Sequence, residues 1–543
     1  MTQTTAAAES TSPQKVDAVV IGAGFAGLYA LHKLRNDMGL KVQVVDKAGG
    51  IGGTWYWNRY PGARCDSESY YYSYSFSEEL EQEWSWSERY PDHNEIRRYL
   101  TFVADKFDLH RDIRLSTTVT GASYDAARDR WTVRTDIGQD IEAQFLITAV
   151  GCLSTANVPD IPGLADFRGD WYHTGHWPHE GVDLRGKRVG QIGTGSTGIQ
   201  LAPELAKVAD HLTVFQRTAN YSIPARNAPL TDAFQTEVKE TYRDIRDWAK
   251  RVTNGHPFDI RDQSALEVEE AERRRIYEQH WDTGGLRFRA AFRDILTDRD
   301  ANETASDFIR SKIREAVKDP DTAEKLTPTD HGFATKRPPI DTHYFETYNR
   351  DNVTLVDLRA APIEVITENG ICTADGEHEL DVIVFATGFD AFTGSLEALN
   401  IAAPDGHTLR DSWQAGPQTY LGVQTPGFPN LFMITGPGSP SVLCNMPVAI
   451  EQHVEWVAQC IAHMREGGLN RVEPAPDAAG EWVAEVNRAA NATLLPQAST
   501  SWYLGANVPG KPQMFLPYAG GMAHYADICD DVARDDYRGF VFS

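Results

Sequence analysis

The stretch VDAVVIGAGFAGLYALHKLRNDMGLKVQVVDKA, residues 16–48, decides the fold. An apolar run over 16–21 predicts a buried parallel strand, leucines then recur at helical spacing, and a second apolar run over 42–45 predicts another strand. Three glycines in a GxGxxG pattern separate the first strand from the helix: Gly22, Gly24 and Gly27. This order of strand, loop, helix and strand predicts a dinucleotide-binding βαβ unit.

Each part of this unit has a physical role in holding a dinucleotide. Gly22 allows the tight turn, Gly24 lets backbone N–H groups approach a pyrophosphate, and Gly27 lets the helix pack closely on the strand. The helix N-terminus adds partial positive charge for the phosphates. Asp46 lies 19 residues after Gly27, where a carboxylate accepts hydrogen bonds from a ribose diol.

The pattern returns in KRVGQIGTGSTGIQLAPELAKVADHLTVFQRT, residues 187–218, with the glycines Gly193, Gly195 and Gly198. The position 19 residues after the last glycine now holds Arg217. A carboxylate there would repel a 2′-phosphate, whereas an arginine pairs with one, so this unit is predicted to prefer NADPH over NADH. An ordinary surface arginine at a strand end is the alternative. Pro203 predicts a kink or an early end of the helix.

Two such units of opposite charge preference predict an α/β protein with two Rossmann-like domains, one holding FAD and one visited by NADPH. The apolar run over 380–390 resembles the strand that returns the chain to the FAD domain in flavoproteins with two dinucleotide sites. Long charged, helix-favouring stretches lie between the two parts of the NADPH domain. The predicted domains are FAD-binding 1–151 and 390–543, NADPH-binding 152–223 and 336–389, and a helical insertion 224–335.

Composition limits the partners. With 52 basic and 77 acidic residues the net charge is -25, which disfavours nucleic acid and anionic membranes. The first fifteen residues are polar, which predicts that they are not a signal peptide, and the lack of a long apolar run predicts that no segment spans a membrane. We therefore expect a cytoplasmic protein. The six cysteines form no CxxC pair, so neither a metal site nor a redox disulfide is expected. No obligatory protein partner is evident.

A second motif, FRGDWYHTGHWP at 167–178, lies between the two glycine loops. Its spacing of Phe, Gly, His and Trp-Pro resembles the fingerprint of type I Baeyer-Villiger monooxygenases. Upstream, GGTWYWNRYPGARCD at 52–66 matches the second pattern of that family. The resemblance extends over almost the whole chain and is strongest to the branch with phenylacetone, steroid and cyclohexanone monooxygenases. His173, inside the motif, is expected to be a structural joint between the two halves and neither a metal ligand nor a proton carrier.

The resemblance implies a ketone-oxygenating cycle. NADPH reduces FAD, O2 adds at the flavin C4a atom, the resulting peroxyflavin attacks a ketone, and a Criegee adduct rearranges to an ester or lactone. The peroxide must stay an anion, which requires a permanent cation such as arginine. Arg337 in TKRPP matches the catalytic arginine of the family, and Asp66 matches its acidic partner. A solvent-facing arginine and a capping aspartate are the alternatives.

Further positions are predicted to bind the cofactors. On the flavin side these are Thr54, Trp55, Asp66, Tyr72 and Met446. On the NADPH side they are Ser196, Thr218 and Lys336, together with Trp502 in a segment expected to fold over NADP+ as a lid.

Other functions stay open at this point. A flavin-containing monooxygenase that oxygenates amines or sulfides is the enzymatic alternative, and it has less use for Arg337. A redox-sensing flavoprotein without turnover is the alternative from another class, and the complete pair of Arg337 and Asp66 argues against it. A disulfide reductase is disfavoured because the chain has no paired redox cysteines. The identity of the ketone and the oligomeric state cannot be read from the sequence.

Overall fold

The computed structural model describes residues 12–543. Residues 1–11, which carry most of the polar stretch used to argue against an export signal, lie outside the described residues. Within 12–543, none of the helices combines the length and the apolar character that a membrane crossing requires.

The first dinucleotide sheet has five parallel strands. Their spatial order is Leu431–Met433, Phe145–Thr148, Ala18–Ile21, Val42–Val45 and Ile113–Arg114. Every residue of the three central strands is buried, as expected for a parallel sheet covered on both faces. The helix Phe25–Leu31 follows the glycine loop, continues as a π-helix over His32–Asp37, and packs against the long helix Met446–Gly467.

The second dinucleotide sheet also has five parallel strands. Their order is Val353–Asp357, His211–Gln216, Arg188–Ile192, Val382–Phe385 and Asp170–His173. The helix Ser196–Val208 follows the second glycine loop. Of the two outcomes predicted for Pro203, the early end is wrong, since the helix continues to Val208, and the kink stays a prediction. The buried residues on both sides of Pro203 keep this helix packed on the sheet despite the hydrogen bond that the proline removes.

Smaller sheets and the remaining helices surround these two layers. A third five-stranded sheet has the order Gln14–Lys15, Ile141–Ala143, Arg130–Thr135, Val119–Asp125 and Ile401–Ala402. An antiparallel sheet contains Ile363–Thr367, Gly370–Thr373 and Gly376–Glu379, and two strand pairs are Ile223–Pro224 with Ile340–Asp341 and Val472–Pro474 with Phe540–Phe542. Outside 224–335 the other helices are Thr54–Trp57, Glu78–Glu83, His93–Lys106, Tyr344–Thr347, Gly394–Glu397, Leu409–Ser412, Pro476–Asn491 and Met522–Arg534.

The segment 224–335 is mainly helical. Its helices are Asp232–Arg251, Glu270–Thr283, Arg299–Ala316 and Pro320–Leu326. The predicted fold class, two Rossmann-like domains with a helical insertion, is confirmed. The strands of both dinucleotide sheets fall inside the predicted ranges, and the exact domain boundaries stay a prediction.

The two glycine loops have the same close packing. Gly22 and Gly193 have φ of +109° and +108°, and a Cβ on either would come within 2.4 Å of a backbone carbonyl oxygen, that of Ala149 or Ala386. A side chain at either position would therefore both strain the turn and collide with the neighbouring strand end. The two loops thus leave their sheets in the same way, each at the carboxyl end of its central strand.

Candidate active site

A cavity of about 440 Å³ connects the first glycine loop with Arg337. Its wall contains most of the predicted flavin-side residues, namely Gly22, Gly24, Asp46, Thr54, Trp55, Asp66, Tyr72 and Met446. Ser196 and Trp502 also line it, so the second glycine loop and the predicted lid meet the flavin side in one space. Gly27, Gly193, Gly195, Gly198, Arg217, Thr218 and Lys336 are not part of this wall.

The third glycine of each loop is packed beneath the loop, as predicted. A Cβ on Gly27 would lie 1.8 Å from the Gly22 carbonyl oxygen, and one on Gly198 would lie 2.3 Å from that of Gly193. The second glycine of the NADPH loop differs, since a Cβ on Gly195 would meet no atom of the described chain within 4 Å. The space beside Gly195 is therefore free for a phosphate at the start of the helix.

Asp46 braces the first glycine loop. Its carboxylate accepts hydrogen bonds from the backbone N–H groups of Ala23, at 2.6 Å, and Ala48, at 2.8 Å. Burial raises the pKa of Asp46, and these two hydrogen bonds oppose the rise. These residues suit a dinucleotide. The first glycine loop is packed too tightly for side chains, with Gly24 against Gly53, and it lies beside the Asp46 carboxylate, which lines the cavity.

Arg337 and Asp66 form a bidentate ion pair in the wall of the same cavity. Nε and Nη2 of Arg337 each donate to one Asp66 oxygen at 2.8 Å, and the two side chains are only 19% and 24% exposed. Nη1 of Arg337 donates to the carbonyl of Val442. All three nitrogens of the Arg337 guanidinium thus donate hydrogen bonds, which fixes its orientation. Arg337 and Asp66 both belong to the wall of the cavity.

The charges of this pair support each other. Burial alone would raise the pKa of Asp66, but the adjacent Arg337 charge and its hydrogen bonds hold that pKa below its usual value. Burial likewise works against the charge of Arg337, and Asp66 raises its pKa above the usual value. Arg337 therefore stays a cation at every working pH.

His256 and Tyr503 surround the pair, and the sequence did not identify either. His256 is buried, its Nε2 lies 3.2 Å from the Ser67 hydroxyl, and burial followed by the Arg337 charge lowers its pKa to about 3. Tyr503 is also buried, and burial raises its pKa to about 12. Both side chains are neutral at pH 7, so Asp66 is the counter-charge that holds Arg337.

A hydrogen-bond relay joins the flavin side to the NADPH loop. The hydroxyl of Tyr60 donates to Gln200 on the helix Ser196–Val208, at 2.8 Å, and Gln200 donates to the carbonyl of Arg64 at 3.0 Å. Gly62, with φ of +85°, allows the close approach, since a Cβ there would lie 2.6 Å from the Gln200 carbonyl oxygen. The chain that leads to Asp66 is thus fastened to the helix that begins the second dinucleotide site.

The Trp-Pro motif forms a second junction. Trp177 is buried in a cluster that also contains Tyr60 and Ala63 from the flavin-side loop. His173 ends the edge strand of the NADPH sheet, is buried, and accepts a hydrogen bond from the Gly175 N–H at 3.0 Å through Nδ1. Burial lowers the pKa of His173 to about 4, so the side chain is neutral, which accords with the predicted role as a joint.

Aromatic side chains form much of the remaining wall. The indole of Trp55 donates to the hydroxyl of Tyr72 at 3.3 Å, and Trp502 stacks on Phe392 with ring centroids 5.8 Å apart. Beyond Trp502, Asn507 Nδ2 donates to the carbonyl of Phe389 at 2.8 Å, which ties this segment to the strand end of the NADPH sheet. The lid role of the segment stays a prediction.

A cationic cluster lies at the predicted 2′-phosphate position. Burial lowers the pKa of Lys336, with smaller effects from Asp330, Arg217 and Arg359, which places these groups near one another. Arg359 pairs with Asp330, whereas Arg217 forms no ion pair within residues 12–543. Sequence reasoning missed Arg359, because it follows a separate strand and becomes a neighbour only through the sheet order.

Residues 12–543 contain no group of three His, Cys, Asp or Glu side chains arranged to hold a metal ion, and their six cysteines are free.

Comparisons with known proteins agree with this geometry. Residues 16–246 match the pyridine nucleotide-disulphide oxidoreductase family. A Baeyer-Villiger monooxygenase of Pseudooceanicola batsensis and a phenazine N-monooxygenase of Lysobacter antibioticus are each 46% identical to this chain, over 97% of it and 96% of the relative. A solved steroid monooxygenase bound to NADP is 53% identical, with a TM-score of 0.93 over 97% of this chain and 99% of its own. The resemblance predicted from the two motifs is confirmed, and the chain belongs to the Baeyer-Villiger monooxygenases.

Proposed function

We propose that this chain is an NADPH- and O2-dependent flavoprotein that inserts one oxygen atom beside the carbonyl of a small-molecule ketone and gives an ester or lactone. One observation carries the proposal. Arg337, which is held by two hydrogen bonds to Asp66, lines the same cavity as the first glycine loop. A permanently charged donor is thus fixed in the wall of the space beside the dinucleotide loop.

The chain's residues divide the cofactors between them. The first glycine loop and Asp46 would hold FAD, with Thr54, Trp55, Tyr72 and Met446 along the same cavity. Gly193, Gly195, Gly198, Ser196, Thr218, Arg217 and Lys336 would hold NADPH, with Trp502 closing over it. When bound, FAD supplies the chemistry that takes electrons from NADPH and activates O2.

Arg337 stabilises negative charge on oxygen during the reaction. Its guanidinium does not lose a proton, and its orientation is set before the substrate arrives, so little reorganisation is needed. Asp66 positions the guanidinium through both hydrogen bonds and balances its charge. His256 and Tyr503 are neutral side chains beside this pair, and neither has a role in proton transfer in this proposal.

Oxygenation of a nitrogen atom is the second candidate. The phenazine N-monooxygenase is as similar to this chain as the Baeyer-Villiger relative, so overall identity does not separate the two reactions. Arg337 favours the ketone, since attack on a carbonyl places negative charge on its oxygen, whereas transfer to a neutral nitrogen does not. A redox-sensing flavoprotein without turnover would not need the oriented Arg337–Asp66 pair, so the pair argues against that alternative.

One assay separates these functions. The FAD-loaded enzyme is incubated under air with NADPH and with a ketone, an aromatic N-heterocycle or a sulfide. The products are identified and quantified by mass spectrometry. Ester or lactone in stoichiometry with NADPH supports the proposal. N-oxide or sulfoxide without ester replaces it with the second candidate, and NADPH oxidation without any oxygenated product refutes both. A single chain acting without a protein partner, in the cytoplasm, stays a prediction.

A further inference from the structure

Arg289 is a second arginine beside the active-site pair. It lies in the 3-10 segment Gly285–Ala290, which packs on the strand Ile223–Pro224. Leu286 of this segment shares a buried cluster with Ile340, which lines the cavity three residues after Arg337. The backbone that carries Arg289 is therefore fixed against the backbone that carries Arg337.

The side chain of Arg289 lies near Arg337 and Tyr503. Burial lowers the pKa of Arg289; Tyr503 opposes that effect, and the charge of Arg337 adds to it. The Tyr503 phenol is influenced by both arginines, and it adjoins Trp502 in the cavity wall. Arg289 and Arg337 thus lie within direct electrostatic range of each other, with Tyr503 beside both.

Arg289 lacks the partners that its neighbours have. Arg287 binds Glu68 at 3.0 Å, and Arg293 binds Glu267 at 2.9 Å. The guanidinium of Arg289 makes no ion pair and no hydrogen bond with any residue of 12–543, and its Nε is buried without an acceptor. Buried guanidinium groups are normally paired, because an unpaired one loses its hydration without compensation.

The charges of the groups around Arg337 do not balance in the described chain. Asp66 carries one negative charge, already shared with Arg337 through two hydrogen bonds, and His256 and Tyr503 are neutral at pH 7. Arg289 adds a second positive charge, and arginine does not lose its proton at neutral pH. An anionic group of a ligand would supply the acceptors that Arg289 lacks.

We propose that Arg289 determines substrate specificity by binding an anionic group of the ketone, so that the preferred substrates are keto acids whose carboxylate lies away from the reacting carbonyl. This inference rests on the proposed function. Arg337, engaged with Asp66 and Val442, serves the carbonyl end, and Arg289, with its nitrogens unpaired, serves the carboxylate end. The planar fork of a guanidinium suits a carboxylate that is bound through two oxygens.

The test uses matched substrate pairs with the FAD-loaded enzyme. Methyl keto acids of increasing chain length are each compared with the methyl ketone in which a methyl group takes the place of the carboxylate. The measured quantity is kcat/KM for ester formation, and its ratio for the acid over the ketone reports on recognition of the anion. Arg289→Met removes the charge at similar volume, Arg289→Lys keeps it, and Arg98→Met removes an exposed arginine as a charge-matched control.

The wild-type enzyme is expected to prefer the acid at one or more chain lengths. Arg289→Met should lower the acid-to-ketone ratio about 10- to 100-fold, the range for a lost charge-assisted hydrogen bond, chiefly through KM of the acid. Arg289→Lys should keep part of the preference, and Arg98→Met should leave the ratio unchanged. NADPH-driven flavin reduction in each variant reports that the protein is folded and loaded.

Two results would overturn the proposal. The first is a wild-type enzyme that favours the plain ketone at every chain length. The second is an Arg289→Met variant in which acid and ketone lose activity in parallel, which would assign Arg289 to the fold or to the reaction itself. The absence of ester from every ketone would instead refute the proposed function, so the two failures are distinguishable.

Discussion

Replacing Arg337 with Met and Asp66 with Asn, singly and together, tests whether the two residues act as one unit. Loss of a preorganised donor to a developing negative charge costs about 2.7–4 kcal/mol, or about 100- to 1,000-fold in turnover. Asp66→Asn keeps the shape of the side chain but loses its charge and one of the two 2.8 Å hydrogen bonds to Arg337. A charge-assisted hydrogen bond contributes about 1.5–3 kcal/mol, so turnover is expected to fall about 10- to 100-fold.

The double variant gives the decisive result. Because Asp66 acts through Arg337, removing it after Arg337 has gone should add little, and ester formation should remain near the level of Arg337→Met. Independent actions would multiply to a loss of about 1,000- to 100,000-fold. Ester yield and the rate of NADPH-driven flavin bleaching are measured in the same samples, since reduction should persist in all three variants. A fully multiplicative loss, or undiminished ester formation by Arg337→Met, would refute the reasoning.

Three further outcomes follow from the same structure. Gly27→Ala should abolish FAD retention, since its Cβ would lie 1.8 Å from a backbone oxygen, whereas Gly195→Ala should fold with bound FAD and be altered only towards NADPH. Arg217→Ala should raise KM for NADPH about 10- to 100-fold and leave KM for NADH nearly unchanged, because only NADPH carries the 2′-phosphate. His453 accepts a hydrogen bond from the Thr435 N–H through Nδ1 at 3.0 Å, and burial lowers its pKa to about 4. Its neutral form therefore contributes fully to the free energy of unfolding above about pH 6.5, and about 3 kcal/mol of that contribution is lost as the pH falls towards about 4.

Each of these outcomes has a clear contrary result. FAD content equal to wild type in Gly27→Ala would contradict the packing of the first loop. Equal changes in KM for both nucleotides would remove the 2′-phosphate argument for Arg217. For His453, the fall in the thermal unfolding midpoint between pH 7 and pH 4.5 should be smaller in His453→Asn, which keeps an acceptor for Thr435 and does not titrate. An unchanged pH dependence would exclude His453 as a source.

Local periodicity was sufficient to predict the two glycine loops. Gly27 and Gly198 occupy positions where any side chain collides with the loop above, and this requirement is written in the sequence as a fixed spacing. The strand Val42–Val45 likewise ends where the apolar run ends, directly before Asp46. The early end predicted at Pro203 did not occur, because buried residues on both sides of the proline hold this helix on its sheet.

Residues that reach the site through long-range packing escaped prediction. Gln200 lies two positions after Gly198, on an ordinary helix face, and only the folded chain places it against Tyr60 and Arg64. His256 comes from the segment between two helices of the insertion, whose charged, helix-favouring sequence contains no motif that marks a site residue. The insertion therefore contributes to the site, although its composition alone assigned it no chemistry.

The distribution of paired and unpaired cations explains how a chain of net charge -25 can serve anionic chemistry. Surface arginines such as Arg185 and Arg275 are bound to neighbouring acids, so their charges are largely cancelled and further screened by salt. Arg217, which is exposed, and Arg289, which is partly buried, have no such partners within 12–543, and the largely buried Arg337 shares a single carboxylate. Charges held away from bulk water act over longer distances than charges on the surface. Because the overall field repels anions, each bound anion must be held by local groups, either backbone N–H groups at the start of a helix or a cation such as Arg337 that is held within the protein.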